Sequence, residues 1–135
     1  MRVLITGASG FVGQAVSSAV VRSGHGVRGM NRRSPVQPLP GEWVAGSVAS
    51  GEDLRRAMDG CDAVIHLVGI IDEVGDQTFD RVHRDGTRRV VEACTASGIR
   101  RLIHMSALGT RPGAISGYHR SKWAAEEIVR GSGLD

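Results

Sequence analysis

Tyr118 and Lys122 stand four residues apart in the segment YHRSK, and each is the sole residue of its kind in the chain. Residues at that spacing share one face of a helix. An ammonium beside a phenol favours the phenolate. A phenol held in this way can pass a proton to or from a substrate oxygen while hydride moves nearby. The pair is therefore a candidate catalytic unit, in which Lys122 can also hold the hydroxyls of a ribose.

A second stretch, VLITGASGFVG from Val3 to Gly13, sets Gly7, Gly10 and Gly13 at intervals of three behind an apolar run. Glycines there permit, in turn, a tight turn, close backbone approach to a pyrophosphate, and close packing of helix on strand. A helix starting beyond Gly10 aims unpaired N–H groups and its positive dipole end at the phosphates. Ser9, Phe11 and Val12 complete the expected phosphate loop. A dinucleotide is the expected ligand.

The third feature is an absence. An NAD site usually ends its second strand with a carboxylate for the ribose hydroxyls, about 20 residues past the glycines. Here that place reads MNRRS, and Arg32 and Arg33 stand there instead. Guanidinium groups match a 2′-phosphate in charge and donor geometry. NADP is the expected cofactor, with NAD the lesser alternative.

These residues act together only if the chain sets them at one end of a sheet. Arg2–Thr6 reads as a short buried strand, and Phe11–Arg22 as a helix that Gly24 ends. His25–Met30 is the second strand, followed by the proline-rich loop RRSPVQPLPG. Glu42–Ala45 is the third strand and Asp53–Met58 a short helix closed by Gly60. Asp62–Val68 is a continuous apolar strand. Gln77–Ser97 carries a helix pattern, with Phe79, Val82, Val90, Val91 and Cys94 facing inward and Gly98 as its stop. Arg101–Ser106 is the fifth strand, and a last helix runs from about Gly117 to Arg130. Alternating strands and helices imply parallel pairing with right-handed crossovers. Strands without an alternating polar face imply a sheet covered on both sides. The expected architecture is an α/β doubly wound parallel sheet, a Rossmann fold with strand order 3-2-1-4-5, forming one NAD(P)-binding domain over residues 1–135.

With its G-x-x-G-x-x-G spacing, TGASGFVG resembles the extended and atypical branches of the short-chain dehydrogenase/reductase superfamily. FDRVHRDGTRRVVEACTASGIRRLIHMSALG is most similar to the atypical subgroup related to the NADPH-binding accessory subunit of respiratory complex I, alongside NAD(P)-dependent epimerase/dehydratase-like proteins. The resemblance implies that Leu67, Val68 and Gly69 lie near the nicotinamide half of the cofactor. It implies that Ser47, where relatives usually carry Asp, lies with Val48 beside the adenine. His83 stands where many relatives have Asn, either as a partly buried helix histidine or as a hydrogen-bonding group of the cofactor site. His66 and His104 are expected to be satisfied core residues. Tyr118 and Lys122 match the catalytic pair of the superfamily. Its third partner is a Ser or Thr at the end of the fifth strand, usually the second of two. Here the two are Ser106 and Ala107, so Ser106 or the nearby Thr110 would have to serve, and otherwise chemistry would be slow or absent. Relatives continue into a sixth strand and a smaller substrate-binding part. The chain is thus expected to stop short of both, with an exposed sheet edge open to homo-oligomer formation.

Composition narrows the partners. Apolar residues are 41 % and charged ones 23 %, as in ordinary soluble proteins. The apolar runs are too short to span a membrane. Basic residues are dispersed as Arg pairs, and 4 % aromatics leaves no stacking platform for nucleic acid. Cys61 and Cys94 lack metal-ligand spacing, so no metal is expected, and they read as buried thiols of a reducing compartment. Met1 leads straight into a strand, and a cytoplasmic location is expected. Four functions remain open: an NADP-dependent oxidoreductase acting on an unidentified small molecule, an NAD-dependent sugar-nucleotide epimerase/dehydratase-like enzyme, a cofactor-binding module without turnover, and an interaction surface that has lost its nucleotide.

Overall fold

Val3, Leu4 and Ile5 have no polar face to offer water, and the chain buries them on both sides of a strand. In the computed structural model, which describes residues 1–33, 35 and 38–135, Arg2–Thr6 (β1) is the centre of a five-stranded parallel sheet. Around it stand Gly26–Asn31 (β2), Glu42–Ala45 (β3), Ala63–His66 (β4) and Arg101–His104 (β5), in the order β3-β2-β1-β4-β5. The helices are Phe11–Arg22 (α1), Gly51–Met58 (α2), Gly86–Ala96 (α3) and Gly117–Arg130 (α4). This is the Rossmann-like α/β architecture that the alternation of elements predicts. Within the loop from 32 to 41, Ser34, Val36 and Gln37 lie outside the described residues.

Two cores follow from the alternation of β1 side chains. Val3 and Ile5 join Ala8, Val27 and Ala63 against Val16 and Val20 of α1. Leu4, on the other face, joins Val64 and Leu102 against Leu54 and Met58 of α2 and Val90 and Cys94 of α3. Each fully buried aliphatic side chain contributes about 1.5–3 kcal/mol. Helix α4 packs on α3, so the layer opposite α1 is what carries Tyr118 and Lys122.

Element ends differ from the sequence reading where hydrogen bonding overrides hydropathy. β2 runs on to Asn31 because Asn31 still pairs with Ala45 of β3. β4 and β5 are shorter than their apolar runs, since the paired register ends at His66 and His104. Ser50 caps α2 by accepting the Asp53 N–H at 3.1 Å, which lets that helix begin at Gly51. The pattern read as one helix from Gln77 begins at Phe79 and passes through a π-helical turn, Asp80–Asp85, before α3. Hydrophobic spacing cannot register one extra residue per turn. Along the outer edge of β5, Asp135 donates to Arg100 O at 2.7 Å and accepts from Leu102 N at 3.0 Å.

Candidate active site

A cleft of about 960 Å³ opens at the C-terminal ends of the strands. Gly7, Ser9, Gly10 and Gln14 form one wall. Gly7 has φ +75°, a conformation that disfavours any side chain, and its N–H donates to Met30 O at 3.1 Å. Gly13 is required for a different reason: a Cβ there would stand 2.1 Å from Gly7 O, inside the turn itself. No side chain caps α1, whose first bond runs from Gln14 N to Gly10 O at 3.0 Å. The N–H groups of Phe11, Val12 and Gly13 therefore lack helix acceptors. Phe11 is 96 % exposed and Val12 is exposed too, so neither side chain is held in the core. Phe11, Val12 and Gly13 are not among the described residues that line the cleft.

Asn31 is a cleft residue that sequence reasoning missed. It accepts the Ser9 N–H on Oδ1 at 2.9 Å. Because an N–H can only donate, that bond fixes which end of the amide is oxygen. The Nδ2 end is buried and has no partner among the described residues. The signal was available, since Asn31 is a polar residue at the end of an otherwise buried strand.

Arg32 and Arg33 both line the cleft, and Arg32 donates across it to Gln77 Oε1 at 3.1 Å. Ser47 and Val48 lie on the β3 side. The Ser47 N–H donates to Asp53 Oδ2 at 3.0 Å, and its hydroxyl accepts from Ala49 N at 3.2 Å. Leu67, Val68, Gly69 and Ile70 form the floor. Arg81, Asp85 and Arg89 also reach the cleft from the π-helical turn and α3, and the sequence reading did not name them. Arg84 and Arg88 bond Asp85 and hold its carboxyl below the usual carboxylate range. An orphaned amide, unpaired helix N–H groups, two arginines and a turn where glycine alone fits form a set of donors. That set fits an acceptor-rich ligand the length of a dinucleotide.

The remaining predicted residues gather beyond the Gly69–Ile70 end, outside the described lining. Tyr118 opens α4, where Ser116 accepts the His119 N–H at 3.1 Å as the cap. Its ring lies edge-on to His83, with centroids 5.3 Å apart, and edge-on to Phe79 at 5.7 Å. Lys122, one turn on, is 4 % exposed and donates to Met105 O at 2.6 Å just past β5. Burial pulls its pKa down, while Glu126 works against that shift. Two of its three N–H groups remain for other acceptors. Ser106 donates to Glu126 Oε1 at 2.5 Å. The Thr110 hydroxyl is buried without a partner.

His83 is buried, with Nε2 3.0 Å from Ile70 N and Nδ1 2.8 Å from Ser121 Oγ. His66 is a satisfied core residue, bonded to Thr6 Oγ1 at 2.7 Å and Thr87 Oγ1 at 3.2 Å. His104 departs from expectation: both of its ring nitrogens are buried without partners. Its strand position sets the ring 5.4 Å from His66, where no hydroxyl reaches it.

Residues 7–135 match the NAD(P)H-binding family. The chain belongs to that family, as an NAD(P)-binding domain of the short-chain dehydrogenase/reductase type. This NAD(P)-binding domain is 38 % identical over 132 residues to a ceramide reductase from Caulobacter vibrioides, covering 95 % of the domain and 41 % of that protein. It thus spans about two fifths of the length of that curated relative. A short-chain dehydrogenase/reductase superfamily protein from Agrobacterium tumefaciens, solved with bound NAD, is 34 % identical. It superposes with a TM-score of 0.78 over 96 % of the domain and 44 % of its own chain. A Bacillus halodurans protein assigned as an NAD-dependent epimerase/dehydratase superposes with a TM-score of 0.88. It is 26 % identical, and the match covers all of the domain and 67 % of that chain. Among the described residues, no helix is long and apolar enough to cross a membrane, and no cluster of side chains suits a metal ion.

Proposed function

We propose that this domain binds NADP(H) and serves an oxidoreductase that interconverts a carbonyl and a hydroxyl on an apolar molecule. The observation that carries the reading is the pair on α4: Tyr118 at the helix start and a buried Lys122 tied to Met105, beside the cleft floor. A nicotinamide held at this end of the cleft would supply or accept hydride. Tyr118 then gives the phenolic proton to the developing alkoxide, or takes it in the reverse direction. Lys122, with two N–H groups unused, holds the nicotinamide ribose and favours the phenolate between turnovers. Thr110, whose hydroxyl is unengaged, polarises the carbonyl oxygen.

Arg32 and Arg33 support NADP over NAD, and Asn31 Nδ2 stands beside them as a third donor for the adenosine ribose. The apolar substrate is supported by Ile71, Val74, Leu108 and Ile115, all exposed on the loops after β4 and β5. The Caulobacter ceramide reductase, 38 % identical, points the same way.

The test is NADPH oxidation by the protein with a ketosteroid, an oxo-ceramide and a β-keto acid, beside NADH controls. Turnover that depends on Tyr118 supports the reading. Tight NADPH binding with no turnover of the panel supports a second one, a cofactor module without chemistry. Ala107, and a Ser106 hydroxyl already engaged by Glu126, favour that second reading.

A further inference from the structure

Each ring nitrogen of His83 has one partner, and the two partners belong to different parts of the site. On one side stands the backbone N–H of Ile70, on the cleft floor. A backbone N–H can only donate, so Nε2, 3.0 Å away, is the unprotonated nitrogen. A neutral imidazole then carries its hydrogen on Nδ1, aimed at Ser121 Oγ at 2.8 Å. Ser121 in turn gives its own hydrogen to Tyr118 O, also at 2.8 Å. Donors and acceptors match one to one, and the hydrogens can be placed in only one way.

We propose that His83 is a positioning residue: this one-way relay fixes the turn of α4 that carries Tyr118 and Lys122 to the loop at the reactive end of the cleft. The proposal rests on the role given above to Tyr118 and Lys122. His83 is 1 % exposed and has no freedom to relax. The Phe79 ring stacks on it at 5.7 Å, and the Tyr118 ring stands edge-on to it. The π-helical turn of Asp80–Asp85 presents it, and such turns are frequent at functional sites. Burial, reinforced by the nearby Lys122 ammonium, keeps the ring neutral by pulling its pKa down to about 4. A charged ring would set a second N–H against that of Ile70. Displacement of a catalytic group by about 1 Å costs on the order of 100-fold in rate. A residue that holds the helix turn in register therefore acts on turnover without touching substrate.

Two measurements test this. Nitrogen NMR of the protein at neutral pH reads the tautomer directly: Nδ1 should carry the hydrogen and Nε2 should be an acceptor. A hydrogen on Nε2 overturns the proposal regardless of any activity. In NADPH oxidation with the carbonyl panel, His83→Phe should lower kcat about 100-fold while the NADPH Kd stays within about two-fold. His83→Gln, which keeps one acceptor and one donor, should recover most of that loss. A loss confined to NADPH affinity makes His83 a cofactor contact and overturns the positioning role. So does a fully active His83→Phe beside a dead Tyr118→Phe. If His83→Phe does not fold, a folded His83→Gln that is as inactive as Tyr118→Phe likewise overturns it. A Tyr118→Phe protein that keeps its turnover sinks the catalytic reading itself, and the tautomer measurement then tells the two failures apart.

Discussion

Ser106 donates its hydroxyl hydrogen to Glu126 Oε1 at 2.5 Å, on the same helix as Tyr118 and Lys122 but beyond them. Glu126 is itself tied to Arg130 by a 2.8 Å contact. The hydroxyl that resemblance nominates is thus engaged as a link between the loop after β5 and α4. Thr110 Oγ1, in the loop that follows, is buried with no partner.

The two hydroxyls should therefore separate by mutation. Thr110→Val should lower kcat by about 100-fold, the usual loss when one donor to a developing oxyanion is removed. Ser106→Ala should lower it by less than about ten-fold and mainly reduce thermal stability. Steady-state NADPH oxidation with the carbonyl panel decides the matter, and a larger loss for Ser106→Ala would return the role to Ser106.

Tyr118→Phe keeps the ring against His83 and Phe79 and removes only the phenolic hydroxyl. Turnover should fall by about 100- to 10,000-fold, with NADPH binding unchanged by fluorescence titration. Lys122→Met should weaken both, because the ammonium is proposed both to hold the cofactor and to favour the phenolate.

Gly13→Ala offers a sharp test of the phosphate turn. The added Cβ would lie 2.1 Å from Gly7 O and 2.7 Å from Ala8, all of it backbone. Something must move, at a cost of about 1–3 kcal/mol or more. NADPH titration of the variant should show no saturable binding, and an unchanged Kd would contradict the assigned ligand position.

Coenzyme choice should depend on salt and on charge. Replacing Arg32 and Arg33 with Ala should weaken NADPH by about 10- to 100-fold, the worth of hydrogen bonds to a charged phosphate, and leave NADH nearly unchanged. Isothermal titration with both nucleotides at two salt concentrations measures this. Equal losses for the two would leave the 2′-phosphate unassigned to these residues.

Acid should unfold the protein through its histidines. Burial pulls His66 down to about 3, and His83 and His104 to about 4 each, from an ordinary 6.5. Lys122 adds to all three shifts, and for His66 His104 adds more. Their folded pKa values are depressed, so the unfolded chain takes up protons first as pH falls. These contributions are fully present above about pH 6.5 and are lost as pH falls to about 4 for His83 and His104 and about 3 for His66, at up to about 1.4 kcal/mol per pH unit for each histidine. The His104 ring has no hydrogen-bond partner among the described residues, so His104→Leu should cost little at pH 7 and flatten the decline. Urea midpoints at pH 7 and pH 5 for both proteins show whether it does.

Much of this was legible because it rests on repetition and spacing. The strand order, α1, α4 and the glycine turn follow from apolar runs, helix periodicity and three glycines. What escaped the sequence depends on hydrogen bonds between distant segments. Nothing local to Asn31 says that Ser9 will donate to it, since the two meet only when β2 lies beside β1. Nor does the segment around Ser106 foretell Glu126, 20 residues on. His104 was read as satisfied because histidines in strands usually are; here the neighbouring hydroxyls face His66. The ends of β4 and β5 were misjudged because hydropathy reports burial, while the strands stop where pairing stops.

The π-helical turn between Phe79 and α3 has a further consequence, for how this segment tolerates change in chain length. A helix that carries one surplus residue in a turn can lose one and become regular. Deleting a residue between Asp80 and Asp85 would absorb that surplus, so Phe79 on one side and α3 on the other would keep their faces, and only the residues within the turn would be re-aimed. The His83 ring, presented by the turn itself, would then leave its place between Ile70 and Ser121. Shortening by one residue here should thus yield a folded protein with a dismantled site, whereas lengthening the outer loop near Gly75 should leave the site standing.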